Sequence, residues 1–141
     1  MKIEIKSLQK RIRINISELK KIASSVRPPQ KFKSLDLNIY LVNNNTIRKL
    51  KHKFFGEDIF TDVIAFNIDD NHAEVFIAPG VVRDNAKDFN VTFKEELNRC
   101  IIHGILHIFG YRDEKKIDKK RMWDKQEKIL MLRGKKVNDL S

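Results

Sequence analysis

His103, His107 and Asp113 are the residues of this chain best suited to chemistry. They fall in the run His103-Gly104-Ile105-Leu106-His107-Ile108-Phe109-Gly110-Tyr111-Arg112-Asp113. Four residues is slightly more than one helical turn, so the two histidines project from one strip of a helix. Gly110 suits the left-handed conformation that ends a helix, and a chain that turns back there carries Asp113 toward the imidazoles. Two imidazoles and a carboxylate form a three-ligand set with a fourth position open, which is the arrangement of a catalytic metal. The spacing His-x-x-x-His-x-x-Gly-x-x-Asp is that of the metzincin zinc site with Asp in the third place. One zinc ion is the expected cofactor, and the same donors suit other divalent first-row metals. The plainer alternative is a pair of satisfied core histidines.

The surrounding helix carries Leu97, Ile101, Ile102, Ile105, Leu106, Ile108 and Phe109 over most of its circumference. A helix apolar nearly all round is buried, so the histidine strip should face a cleft rather than open water. Zinc proteases with such a helix place a Glu, their general base, directly after the first His. Here that position is Gly104, which has no side chain to take a proton. The spacing argues for a metal, and the missing Glu argues against peptide hydrolysis.

The run His103-Gly104-Ile-Leu106-His107-Ile-Phe-Gly110-Tyr111 resembles the signature of the bacterial YbeY family. The stretch Asp58-Ile59-Phe60-Thr61-Asp62-Val63-Ile64-Ala65-Phe66 is similar to that family's loop-to-strand segment, Asp-x-Pro-Thr-Asp/Asn-Val-Leu-Ser-Phe. The resemblance runs from about Leu37 to Leu132. It implies a metal-dependent, single-strand-selective endoribonuclease of ribosomal RNA maturation, at the 16S rRNA 3′ end, and of ribosome quality control. It also implies a four-stranded sheet with the histidine helix as one wall of a cleft. Three departures stand out. Arg112 and Asp113 occupy the places of the family's Asp and third-ligand His, Phe55 stands where the family has an Arg assigned to phosphate contact or catalysis, and Phe60 replaces its proline.

Composition bounds the rest. The chain has 141 residues, which suits one domain, residues 1–141, with a single core. No apolar run is long enough to cross a bilayer, and the alternating start Met-Lys-Ile-Glu-Ile-Lys is not a signal peptide. Cys100 is the only cysteine, so no internal disulfide forms, and a reducing cytoplasm is expected. Its position on the histidine helix reads as a small core residue rather than a ligand. Formal net charge is +10, with 29 Lys and Arg against 19 Asp and Glu. Such a surplus favours polyanionic partners; the resemblance implies that the partner is ribosomal RNA or a ribosomal subunit, and no membrane partner and a monomeric state are expected. A genome biased toward Lys, Ile and Asn would give the same surplus without a partner.

The elements that must position the site follow from periodicity and caps. Residues 2–14 read as a strand or extended start. Asn15 with Glu18 caps a helix to about Val26, which Pro28-Pro29 ends. Residues 34–41 alternate as a half-buried strand, and Asn43-Asn44-Asn45 opens a helix to about Phe54. Val63–Phe66 and His72–Ala78 are strands around a turn at Asp69-Asp70-Asn71, and Pro79 starts a helix to about Phe89. Thr92 and Glu95 form a capping box for the histidine helix, which runs to Phe109. A last helix covers roughly Lys115 to Arg133, Gly134 ends it, and the tail 135–141 frays. Strands early and helices around and after them give an α+β fold, about five helices against a small mixed sheet.

A metal held by two His and one carboxylate lowers the pKa of bound water from about 15.7 toward 7 and polarises a phosphoryl oxygen. In RNA the ribose 2′-hydroxyl is a built-in nucleophile. Beyond the bound water, Glu96, seven residues before His103, is a candidate acid, base or orienting partner, with a solvent-facing ion pair as the alternative. Asp62 and Thr61 match the family's cleft-lining loop, or simply cap the strand that follows. Phosphate contacts are expected from Arg48, Lys49, Lys51 and Lys53, and from Arg112, Lys115 and Lys116 beside the metal segment. Arg112 is the candidate to replace the Arg missing at Phe55. Tyr111 either stacks on a base or packs, and His52 and His72 are exposed bystanders.

Overall fold

The computed structural model describes the backbone of residues 1–139 and the side chains of residues 1–133. Four strands, β1 (Lys2–Ser7), β2 (Asp36–Leu41), β3 (Val63–Asn67) and β4 (His72–Ile77), form one sheet in the order β1-β2-β4-β3. The first, second and fourth run parallel, and β3 lies antiparallel to β4 at one edge. Parallel neighbours need a crossover long enough for a helix. Accordingly α1 (Ile16–Ser24) lies between β1 and β2, and α2 (Asn44–Phe55) follows β2. After β4 come α3 (Pro79–Asp88), α4 (Phe93–Ile108) and α5 (Lys116–Asp139). This is the expected α+β arrangement, with five α-helices and a mixed four-stranded sheet among the described residues.

Alternation along the strands sorts the sheet into two faces. Ile3, Leu37, Ile39, Leu41, Ala73, Val75 and Ile77 join Leu19, Leu97, Ile101 and Ile105 in the main core, so α1 and α4 cover that face. Ile64 and the partly buried Tyr40, Phe66 and Phe76 turn the other way and meet Ile47 of α2. There Tyr40 stacks on Phe76 at 5.1 Å between ring centroids, and Phe76 on Phe66 at 5.8 Å.

Local chemistry fixes the helix starts. The side chains of Asn15, Asn43 and Thr92 accept hydrogen bonds from the amides of Glu18, Thr46 and Glu95 at 3.1, 2.8 and 3.1 Å, satisfying donors that a first helical turn leaves open. Two boundaries differ from expectation by more than two residues. The extended start over residues 2–14 stops at Ser7, because Gln9 folds back, donating to the Ile12 carbonyl at 2.8 Å and accepting from the Ile12 amide at 3.0 Å. The last helix continues through Gly134 to Asp139. Glycine costs a helix interior only about 1 kcal/mol relative to alanine, and no proline follows to force an end. Of the tail expected to fray, residues 140 and 141 lie outside the described residues.

Arg99 clamps α5 onto α4. Its guanidinium donates to both oxygens of Glu127 on α5, to Glu96 Oε1 at 2.6 Å and to Glu95 at 3.3 Å. Met122, 1% exposed, seals the same junction.

Candidate metal centre

α4 is pressed against the sheet at Gly104. A Cβ there would lie 2.9 Å from Val75 Cγ1 and 3.1 Å from Val63 Cγ2. Those branched side chains are stiff at χ1 and do not move aside freely. The position that holds the catalytic Glu in zinc proteases is therefore sheet contact here, with no room for a side chain. The histidines, on a neighbouring strip, stay half-buried at the helix flank, 28% and 29% exposed at their side chains.

At the helix end the chain turns back as the spacing predicts. Gly110 has φ +99°, and the amide of Tyr111 donates to the Leu106 carbonyl at 3.0 Å. The return brings Asp113 Oδ2 to 3.3 Å from His107 Nε2 and 3.8 Å from His103 Nε2. The two Nε2 atoms are 3.0 Å apart, with the rings nearly perpendicular at 82°. Ligands at zinc distances of about 2.0–2.2 Å in a tetrahedron lie roughly 3.3–3.6 Å from one another, so the three atoms have the spread of three vertices.

Hydrogen bonding behind the rings explains why these atoms face each other. His107 Nδ1 donates to the main-chain carbonyl of Tyr111 at 3.1 Å, which leaves its Nε2 as a bare lone pair. His103 Nδ1 meets Gln126 Oε1 at 2.7 Å. The amide of Gln126 is oriented by its own donation to Glu127 Oε2 at 3.1 Å, so Oε1 accepts and His103 is protonated at Nδ1. Two lone pairs and a carboxylate then converge with no proton donor among them, an arrangement a cation relieves. Burial and the neighbouring His103 hold the His107 pKa below its ordinary value, against the pull of Asp113, a shift toward the neutral form that a metal needs.

The other candidates divide. A cleft of about 1060 Å³ is lined by all three donor residues together with Lys51, Phe55, Thr61, Asp62, Tyr111 and Arg112. Arg48 is not in its lining. It is held by Asp58 through two hydrogen bonds at 2.7 and 3.3 Å and packs on Phe60 at 4.9 Å. Arg112 is exposed and 3.8 Å from Glu114. Glu96 is neither a free base nor a solvent-facing ion pair: it is 4% exposed and bound to Arg99. The second acidic group, Asp62, Glu96 and Cys100, has ligand-type atoms within 4.8 Å of one another. Arg99 already meets the charge of Glu96, and burial beside Asp62 pushes the Cys100 thiol up, so it stays protonated. His72 is exposed, yet paired with Asp69 at 2.8 Å.

Sequence reasoning missed Gln126. Its signal was a polar residue four places after Met122 and three before Ile129, inside the apolar stripe of the last helix. It also missed Asn67, whose amide donates to the Ile108 carbonyl at 3.2 Å and ties β3 to the end of α4.

The sequence profile of the family described as Endoribonuclease YbeY matches residues 3–133. The chain belongs to the YbeY family. Similar proteins named Endoribonuclease YbeY include one from Thermotoga sp. (strain RQ2), 40% identical over 97 residues, covering 67% of this chain and 65% of that protein. Another, from Flavobacterium psychrophilum, is 36% identical over 106 residues, covering 73% of this chain and 76% of its own. The solution structure of a Thermotoga maritima protein superposes with a TM-score of 0.59 at 30% identity, covering 91% of this chain and 86% of the other. The alignment thus spans slightly under two thirds of the Thermotoga sp. relative's length. Within this YbeY fold, Phe55, which the resemblance sets at the family's Arg position, lines the cleft beside Lys51, whose ammonium lies 4.5 Å from its ring.

Proposed function

We propose that this chain is a metal-dependent endoribonuclease that cleaves single-stranded ribosomal RNA, acting as one domain in 16S rRNA 3′-end maturation and ribosome quality control in the cytoplasm. The convergence of His103 Nε2, His107 Nε2 and Asp113 Oδ2 within 3.8 Å carries this reading. Membership of a family whose relatives bear the name Endoribonuclease YbeY supports it, as does the net charge of +10. His103, His107 and Asp113 would hold one ion, zinc by their donor chemistry. When bound, it would supply Lewis-acid polarisation of a phosphoryl oxygen and acidify water. The chain's own part is positional. Gln126 and the Tyr111 carbonyl fix both imidazoles as Nδ1–H tautomers, and Lys51 and Arg112 lie where a phosphate backbone would run through the cleft. Thr61 and Asp62 are among its lining residues. Among the described residues no helix is long and apolar enough to cross a membrane.

The experiment is cleavage of a single-stranded RNA by purified protein, with elemental analysis of the same preparation. Expected are one bound first-row metal, cleavage abolished by chelator, and cleavage abolished in His107→Ala with far-UV dichroism retained. RNA bound but left intact by the metal-loaded protein would favour a non-catalytic ribosome-associated factor instead. A protease reading is opposed by the packing at Gly104.

A further inference from the structure

On the other side of the metal ligands lies a second cavity of about 500 Å³, between α4, α5 and the start of β3, with Phe89 just past α3 in its wall. Its size falls in the range of small-molecule sites, about 300–1,000 Å³. Asp62, Val63, His103 and Asp113 line both this cavity and the cleft, so the metal ligands stand at the junction of the two. Its walls include Phe89 and Trp123, which are 62% and 54% exposed although both line a concavity. Large rings left open in this way are platforms for stacking. Asp62 lines the cavity too, with Asn85 Nδ2 and Cys100 Sγ each 3.5 Å from its Oδ2. The exposed Lys116, Lys119 and Lys120 of α5 form the rim.

We propose that this cavity receives one unpaired nucleobase of the RNA strand in the cleft, and that Asp62 selects a base bearing an amino group. The inference rests on the ribonuclease reading above. A base leaving the strand beside the metal would stack on Phe89 and Trp123, while the lysines meet the flanking phosphates. A carboxylate accepts hydrogen bonds from the exocyclic amines of adenine and cytosine, and from the N1–H and N2–H edge of guanine. Uracil offers a single N–H between two carbonyl oxygens, which the carboxylate repels. The pocket also gives single-strand selectivity a physical origin, since a base held in a duplex must first pay its unpairing energy to enter.

Trp123 is the only tryptophan and reports occupancy directly. The test titrates the metal-loaded protein with 2′-O-methyl hexanucleotides of A, C or U, which keep the bases but lack the nucleophilic hydroxyl, and follows Trp123 fluorescence. Oligo-A and oligo-C should quench it and bind about tenfold more tightly than oligo-U, the ratio expected of one well-made base contact. Phe89→Ala, an exposed position, should weaken oligo-A binding about fivefold. Asp62→Asn, checked for folding by dichroism and thermal melting, should bring the A and U affinities within about twofold of each other. Equal affinities for the three oligomers, or discrimination surviving in Asp62→Asn, would overturn the proposal. Cleavage of ordinary RNA without discriminating quench removes the pocket and leaves the ribonuclease standing. Discriminating quench without cleavage supports the pocket and removes the ribonuclease.

Discussion

At the scale of single residues, the site depends on which nitrogen of each histidine carries the proton. Gln126→Leu keeps the volume of a buried side chain but removes the acceptor behind His103. Losing such an outer partner typically costs 10–100-fold in metal affinity. We expect that loss for Gln126→Leu, measured by competition with a chromogenic chelator, with both histidines intact. A second residue-scale effect sits in the turn at Asp69. Its hydrogen bond and charge raise the His72 pKa above 6.5, while the Asn71 amide and His72 lower that of Asp69. A raised histidine pKa adds stability below the unfolded value that is lost as pH rises through the folded one. Asp69→Asn should therefore lower the Tm more at about pH 5.5 than at about pH 9, and NMR should show the His72 midpoint falling in the variant. The opposite pH trend would contradict the pairing.

Among elements, α4 matters most, and its closeness to the sheet is set by Gly104. Gly104→Ala places a methyl 2.9 Å from Val75 Cγ1. Overpacking of this kind costs about 1–3 kcal/mol, more than the gain of up to about 1 kcal/mol in helix propensity. Urea unfolding should show the loss, and Val75→Ala in the same chain should recover most of it. At this scale the sequence was readable where causes are local. Asn15, Asn43 and Thr92 announce their helices because a cap acts on amides two or three residues away. The approach of Asp113 to the two histidines was readable because Gly110 marks the turn. The partners of Glu96 and Arg48, which are Arg99 and Asp58, were not readable, because packing and loop geometry set them and no spacing rule encodes either. Gln126 was missed for the same reason, since its role exists only once α5 docks on α4.

For the molecule as a whole, the charge of +10 bears on how RNA is held. If about four lysines and arginines of the cleft and the α5 rim meet phosphates, log K should fall with log salt at a slope of roughly −3, from −0.7 per neutralised phosphate of a single strand. Fluorescence anisotropy across a salt series measures it. A flat response would show that the surplus charge has no part in RNA binding. The fold class was legible from the order of strands and helices. The second cavity was not, because it forms only where Asp62 and Val63 meet α4 and α5, which lie some thirty residues or more further along the chain.

The two imidazoles are oriented by supports of different kinds. His107 leans on the main-chain carbonyl of Tyr111, four positions ahead, which no side-chain replacement at that position deletes. His103 leans on Gln126, twenty-three positions further along. During synthesis, all three donor residues leave the ribosome before the group that sets the His103 tautomer. The docking of α5 on α4 and the orientation of the His103 ring are therefore one event, and a chain that ends before Gln126 would carry the three donor residues without their full alignment.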